Sequence, residues 1–351
     1  MRPLGLTVLS ATLATLGAAA IGLPPVSAVT NSPLQVPAPT IREPVGSYTG
    51  FTYVPRVQRP STGAQRTPPV FIVTYDGFPL EAQTAFQYAL DIWGTVIQSP
   101  VPIRVTAYWR DDLPGYVVAA AGGGAMVRDF TNAPRANTYY PAAVANARAG
   151  RDLTPGDEII ATFNGAFDWY LGIDGQAGTR MDFVSVALHE IGHGLGFSGS
   201  LRVEGSVGSW GIGSGTVPVA YDLFMATTGS RYLTNTNLFP NRSATLGQLL
   251  MSGEVRFLGP TTLATLPVPK IYAPNPWMGG SSLSHLDDLT YPNGDPNSLM
   301  TPSMSPGEVI HDPGPMAARI LADMGWRLQP GVLPPPPPPG APVNMRMVRR
   351  R

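Results

Sequence analysis

The segment Val186-Ala187-Leu188-His189-Glu190-Ile191-Gly192-His193-Gly194 carries the spacing H-E-x-x-H. On a helix, residues four apart lie one above the other, so His189 and His193 offer two imidazoles to a single point. Imidazole nitrogen is a good ligand for divalent cations, zinc among them. Glu190 adds a carboxylate beside such a cation, able to take up and return protons. The chain has only 4 histidines, and two of them fall in this motif. The chemistry implied is metal-assisted hydrolysis, with Glu190 as general base to a metal-activated water.

A helix has to hold these groups. Asp182 is placed to cap its start, and Phe183, Val184, Val186, Ala187, Leu188 and Ile191 give it apolar surface. Catalytic zinc usually takes three protein ligands and leaves one position for water. In the metzincin pattern H-E-x-x-H-x-x-G-x-x-H, a glycine turn returns a third histidine to the metal. Gly196 stands at the glycine position here, but Gly199 stands where that histidine would be. His285 and His311 remain as candidates, with Asp222, Glu204 and Glu254 as acidic alternatives.

His285 lies in Gly280-Ser281-Ser282-Leu283-Ser284-His285-Leu286-Asp287, followed by Asn297-Ser298-Leu299-Met300-Thr301-Pro302. An H-E-x-x-H-G-x-G-F helix, a late Ser-His-Leu, a Leu-Met-x-Pro turn and a closing Asp323-Met324-Gly325-Trp326 together resemble the leishmanolysin-type metzincins and their bacterial secreted relatives. The match covers residues 180–200 and 280–326. The resemblance implies His285 as third ligand, Met300 as the methionine of a turn flooring the metal, and a terminal helix over 318–326. It implies one catalytic Zn2+ and a zinc metalloendopeptidase acting on protein or peptide substrates. The fold implied is α+β: a metzincin-like zincin with a mixed twisted sheet, an active-site helix and a loop-rich C-terminal subdomain. Three departures stand out: the absence of cysteine in a family whose protozoan members are disulfide-rich, Leu286 where an aromatic is usual, and a 199–280 insertion without similarity. A catalytically inactive secreted binding or surface protein on the same scaffold is the alternative reading.

Other groups have expected roles. His311 follows the methionine turn and is read as structural or cleft-lining. Asp287, Asp288 and Asp295 form an acidic group that could hold Ca2+. Gly122-Gly123-Gly124 lacks the helix start that a phosphate cradle needs.

The whole chain sets broad bounds. Its 351 residues include 23 Lys+Arg against 23 Asp+Glu, so no global field steers it to nucleic acid. With no cysteine, it has neither disulfides nor thiolate ligands. Arg2, an apolar stretch over 4–23 and Val26-Ser27-Ala28 read as a signal peptide over 1–28, hence a secreted protein with no stable membrane insertion after its removal; a monomer is expected. Residues 29–68 read as a Pro-rich leader or propeptide, 69–328 as the metallopeptidase domain (subdomains 69–198 and 199–328), and 329–351 as a disordered Pro-rich basic tail.

Within the domain, order is expected to begin at the strand over 69–75, followed by a helix over 80–97 and a strand over 101–109. That succession predicts a sheet with a crossover helix. A strand over 158–163 ends at Asn164-Gly165, where it could pair with an extended peptide. Short apolar pieces lie at 219–225 and 255–258, and a last helix spans 316–324 with Gly325 as its cap.

Overall fold

The computed structural model describes residues 34–59, 67–213, 216–264 and 267–333. The signal peptide expected over 1–28 and the proline run over 334–339 lie outside the described residues. Three strands precede the expected start of order: β1 (Leu34–Pro37), β2 (Thr40–Pro44) and β3 (Thr52–Val54). Order therefore begins well before the strand over 69–75 where it was expected. Proline in 29–68 removes backbone donors but still permits strands at a sheet margin.

The first expected unit follows. β4 (Phe71–Asp76) leads into α1 (Leu80–Gly94), then β5 (Ile97–Gln98) and β6 (Ile103–Arg110). Ala82, Ala85, Phe86, Ala89, Leu90 and Trp93 form the buried stripe of α1 that the spacing predicted. β4 and β6 pair in parallel, as a helical crossover requires.

Four further strands and a short helix come next: β7 (Val117–Gly123), β8 (Ala125–Arg128), β9 (Tyr140–Pro141), α2 (Ala142–Ala149) and β10 (Ile159–Asn164). The main sheet runs β2-β7-β10-β6-β4. Only β7 opposes the other directions, so the sheet is mixed and the class is α+β. β10 is flanked on both sides by β6 and β7, so it has no free edge for a peptide, contrary to expectation. Alanine and glycine fill β7 because space is short: a Cβ on Gly122 would collide with the Pro39 carbonyl of the neighbouring segment.

β11 (Trp169–Tyr170) and β12 (Met181–Asp182) introduce α3 (Phe183–Gly194), which is buried along its whole length. α3 packs between α1 and the sheet strands β7 and β10. A helix enclosed on every side has no solvent face, hence its nearly unbroken apolar sequence. Phe78, Phe86, Phe163, Phe183 and Trp109 meet in edge-to-face and tilted pairs beneath its first turn.

The 199–280 stretch is built from short pieces. These are the β13 (Arg202–Glu204) and β14 (Val207–Ser209) hairpin, a 3-10 turn Tyr221–Phe224, β15 (Met225–Thr227), α4 (Ala244–Leu250), β16 (Val255–Phe257) and α5 (Pro260–Leu263). A second 3-10 turn, Ser298–Met300, precedes β17 (Glu308–Ile310), α6 (Gly314–Asp323) and β18 (Arg327–Leu328). β17 pairs with β3, and β18 with β5, so both ends of the described chain are sewn into the body. Gln329 is buried and bonds to Val96 and Ile97, so the tail does not begin at 329 as expected. One hydrophobic core runs through both expected subdomains. Among the described residues, no helix is long and apolar enough to cross a membrane.

Candidate metal centre

α3 begins as its sequence requires. The Asp182 side chain accepts from the Ser185 backbone N–H at 2.9 Å, satisfying a donor that the first turn leaves free. The same Oδ2 meets His311 Nε2 at 2.9 Å, and Ser185 Oγ accepts from Ile310 N at 2.6 Å. His311 is therefore a buried brace on the helix start. Tyr53 and Tyr88 meet its ring edge-on.

At its other end α3 stops at Leu195. Gly196 takes a φ of +112°, which a side chain rarely tolerates, and the chain turns back so that Phe197 N–H reaches the Gly192 carbonyl at 3.0 Å. Trp326, just beyond α6, donates its indole N–H to the Leu195 carbonyl at 2.8 Å.

His189 and His193 face the same point, with their Nε2 atoms 2.9 Å apart. His285 arrives from the far side, its Nε2 3.1 Å from that of His193 and 3.3 Å from that of His189. All three rings are fully buried. The His285 loop is fixed by Leu286 N–H on the Met300 carbonyl at 2.7 Å and by Tyr272 N–H on the His285 carbonyl at 2.9 Å.

Each ring is also held from behind. Nδ1 of His189 donates to the Leu299 carbonyl at 2.6 Å, His193 to Phe197 at 2.8 Å, and His285 to Ser281 at 2.7 Å. A carbonyl only accepts, so each Nδ1 carries a proton, and in the neutral ring each Nε2 turns a lone pair inward. Three lone pairs converging in a dry pocket repel unless a cation takes them. Ligands at the roughly 2.0–2.1 Å of zinc–imidazole bonds lie about 3.3–3.4 Å apart around a tetrahedral ion, close to the spacing seen here. Among the described residues, this trio forms the group of His, Cys, Asp or Glu able to hold a metal ion.

The other candidates are engaged elsewhere. Asp222 is buried and accepts from Ser200 N at 2.8 Å, Val219 N at 3.0 Å and the Ser200 hydroxyl. Glu204 and Glu254 are exposed and pair with Arg202 and Arg256. Asp287 accepts from Thr290 and lies 3.2 Å from Lys270 Nζ, while Asp295 accepts from Asn297. Asp288 is exposed. The acidic residues considered for Ca2+ are thus spent on local bonds or facing water.

Met300 is fully buried, its sulfur against Gly192 in the turn of α3 between the two histidines. Glu190 is also fully buried, and neither carboxylate oxygen has a hydrogen-bond partner. Burial drives its carboxyl well above the ordinary range, against the pull of His189.

One group at the centre was not anticipated. Glu43, on β2, places Oε2 3.0 Å from His189 Nε2 and 3.6 Å from His285 Nε2, with its side chain fully buried. Burial opposes its charge, but the field of His189 prevails and the carboxyl lies below its usual value. His189 is in turn pushed up to about 9, burial being outweighed by Glu43. Burial drives His193 and His285 down. A divalent cation held by the three rings would place positive charge opposite the same carboxylate.

The only sequence cue for Glu43 was the alternation Ile41, Glu43 along β2, which puts an acid on the inward face of a strand. Neither the known family models nor the curated proteins compared with this chain gave a match.

Proposed function

We propose that this chain is an exported zinc-dependent endopeptidase of the leishmanolysin-type metzincin kind. The observation that carries the reading is the convergence of three Nε2 lone pairs, each locked by a backbone carbonyl, on one buried point beside a carboxylate with no other partner. Structural zinc sites are often built from thiolates, whereas a set of three histidines with a free acid beside it suits hydrolysis.

His189, His193 and His285 would hold the ion. When bound, zinc supplies Lewis-acid polarisation of the scissile carbonyl and lowers the pKa of water to about 7. Glu190 takes the proton from the attacking water on a carboxylate oxygen and delivers it to the leaving amine. Among the described residues, no N–H or O–H competes for those oxygens. Met300 and Gly192 fix the height of α3 under the ligands, and the Asp182–His311 brace fixes its tilt.

The test pairs metal analysis with hydrolysis of casein or a fluorogenic peptide. One equivalent of zinc, chelator-sensitive turnover, and its loss in Glu190→Gln with zinc retained are expected. If neither the full chain nor its Glu43→Ala variant hydrolyses peptide while zinc-loaded, the peptidase reading fails and a metal-binding surface protein takes its place.

A further inference from the structure

We infer that Glu43 is the fourth metal ligand and that the segment 40–59 holds the centre closed, so that the chain as folded is a latent form. The inference rests on the metal-centre reading above.

Glu43 Oε2 lies 3.0 Å from His189 Nε2 and 3.6 Å from His285 Nε2, separations that donors on one ion keep, and its side chain would have to turn toward His193 to complete the set. Among the described residues, its oxygens have no polar neighbour of their own beyond these two ring nitrogens, and the side chain is fully buried. A buried carboxylate needs a positive or hydrogen-bonding partner, and an ion held by the three rings would lie beside this one. A protein carboxylate on the ion occupies the position that water needs for hydrolysis.

The backbone around Glu43 blocks the approach as well. β2 lies antiparallel on β7 from Thr40 opposite Gly122 to Pro44 opposite Val117. Without β2, β7 would be the sheet edge nearest the histidines, the place where an extended peptide could add as a strand. The other rim is bridged too. Arg42 N–H reaches the Gly280 carbonyl at 3.4 Å, Gly46 N–H the Met304 carbonyl at 2.7 Å, and Thr52 N–H the Gly307 carbonyl at 3.0 Å. β3 then pairs with β17, and Arg59 lies 2.8 Å from Asp312. The segment therefore spans the cleft from the sheet edge to the His285 side, with its acid at the metal.

The experiment uses the full chain loaded with one equivalent of Co2+ in wild-type, Glu43→Ala and Glu43→Gln forms. Far-UV circular dichroism and thermal melts confirm folding, and the near-isosteric glutamine guards against collapse of the alanine variant. The visible cobalt absorption is expected to change in both variants and to respond to acetohydroxamate only in them. With zinc in place of cobalt, peptide hydrolysis is expected to rise by about tenfold or more in the variants. It should vanish again in Glu43→Ala/Glu190→Gln. An unchanged cobalt spectrum in a folded variant, or a wild-type spectrum that answers acetohydroxamate equally well, overturns the ligand assignment. Wild-type hydrolysis as fast as that of Glu43→Ala overturns the closure. A changed spectrum with no hydrolysis in any form leaves Glu43 as ligand and removes the peptidase reading instead.

Discussion

Met300 lies directly against Gly192: a Cβ added to that glycine would sit 2.8 Å from the methionine sulfur. Trp93 Cζ2 closes the same space from the α1 side at 3.3 Å. The glycine between the two helix histidines is therefore a contact requirement. Gly192→Ala should gain about 1 kcal/mol of helix propensity yet lose about 1–3 kcal/mol by overpacking. The expected net effect is a lower melting temperature and weaker zinc binding, read by calorimetry and competition with a chromophoric chelator. An alanine variant at least as stable, with unchanged affinity, would show that Met300 is not fixing the helix.

The centre should also stabilise the fold. A ligand that binds only the folded chain adds about 4 kcal/mol at a thousandfold excess over its dissociation constant. Melting in zinc should exceed melting in chelator for the wild type. His285→Ala should abolish the difference, because a distant loop is no longer tied to α3. A variant that keeps the full zinc-dependent gain would remove His285 from the ligand set.

The brace at the helix start makes a graded prediction. Asp182→Ala removes the cap to Ser185 and the partner of His311, and should destabilise by about 2 kcal/mol or more. His311→Phe keeps the cap and the ring contacts with Tyr53 and Tyr88 and should cost less. Urea unfolding of both variants checks the order. A larger loss in the phenylalanine variant would refute it.

A pH dependence follows from Glu308, which is almost completely buried on β17. Burial raises its carboxyl to about 7, Glu43 adding to the effect while the Ser305 amide opposes it. The folded chain thus holds this proton more tightly than the unfolded one, so stability is lost as pH rises. The loss begins near the unfolded value of about 4.3 and is complete above about 7. Glu308→Gln should be more stable than wild type at pH 8, by on the order of 2–3 kcal/mol, and nearly equal to it at pH 4. Unfolding midpoints at the two pH values decide. A variant gain that is the same at both would assign the effect to something other than ionisation.

How much of this was readable in advance differs by element. α3 and its cap were plain from Asp182 and an apolar run interrupted only by the motif residues, and α1 from its stripe. Residues of that kind carry their periodicity locally. β2 and β7 were not readable, because their partners decide them. β7 is alanine and glycine, chosen by the closeness of the next backbone. β2 is a few residues among prolines, and its one inward acid makes sense only once the histidines are placed. α2 was missed for a similar reason: Ala142–Ala149 has small side chains that leave little amphipathic contrast. The placing of His285 came from resemblance, since a ligand 92 residues away from His193 leaves no local pattern.

That separation has a mechanical consequence. A cation gripping both His193 and His285 would cross-link the polypeptide over 92 residues. In the chain-entropy picture a tie across so long a loop restricts the unfolded ensemble by on the order of 4 kcal/mol. A protein without cysteine would thereby gain from its inorganic partner the kind of staple that exported proteins otherwise make from sulfur. Scarcity of the ion would then govern how long the molecule persists, as well as what it can do.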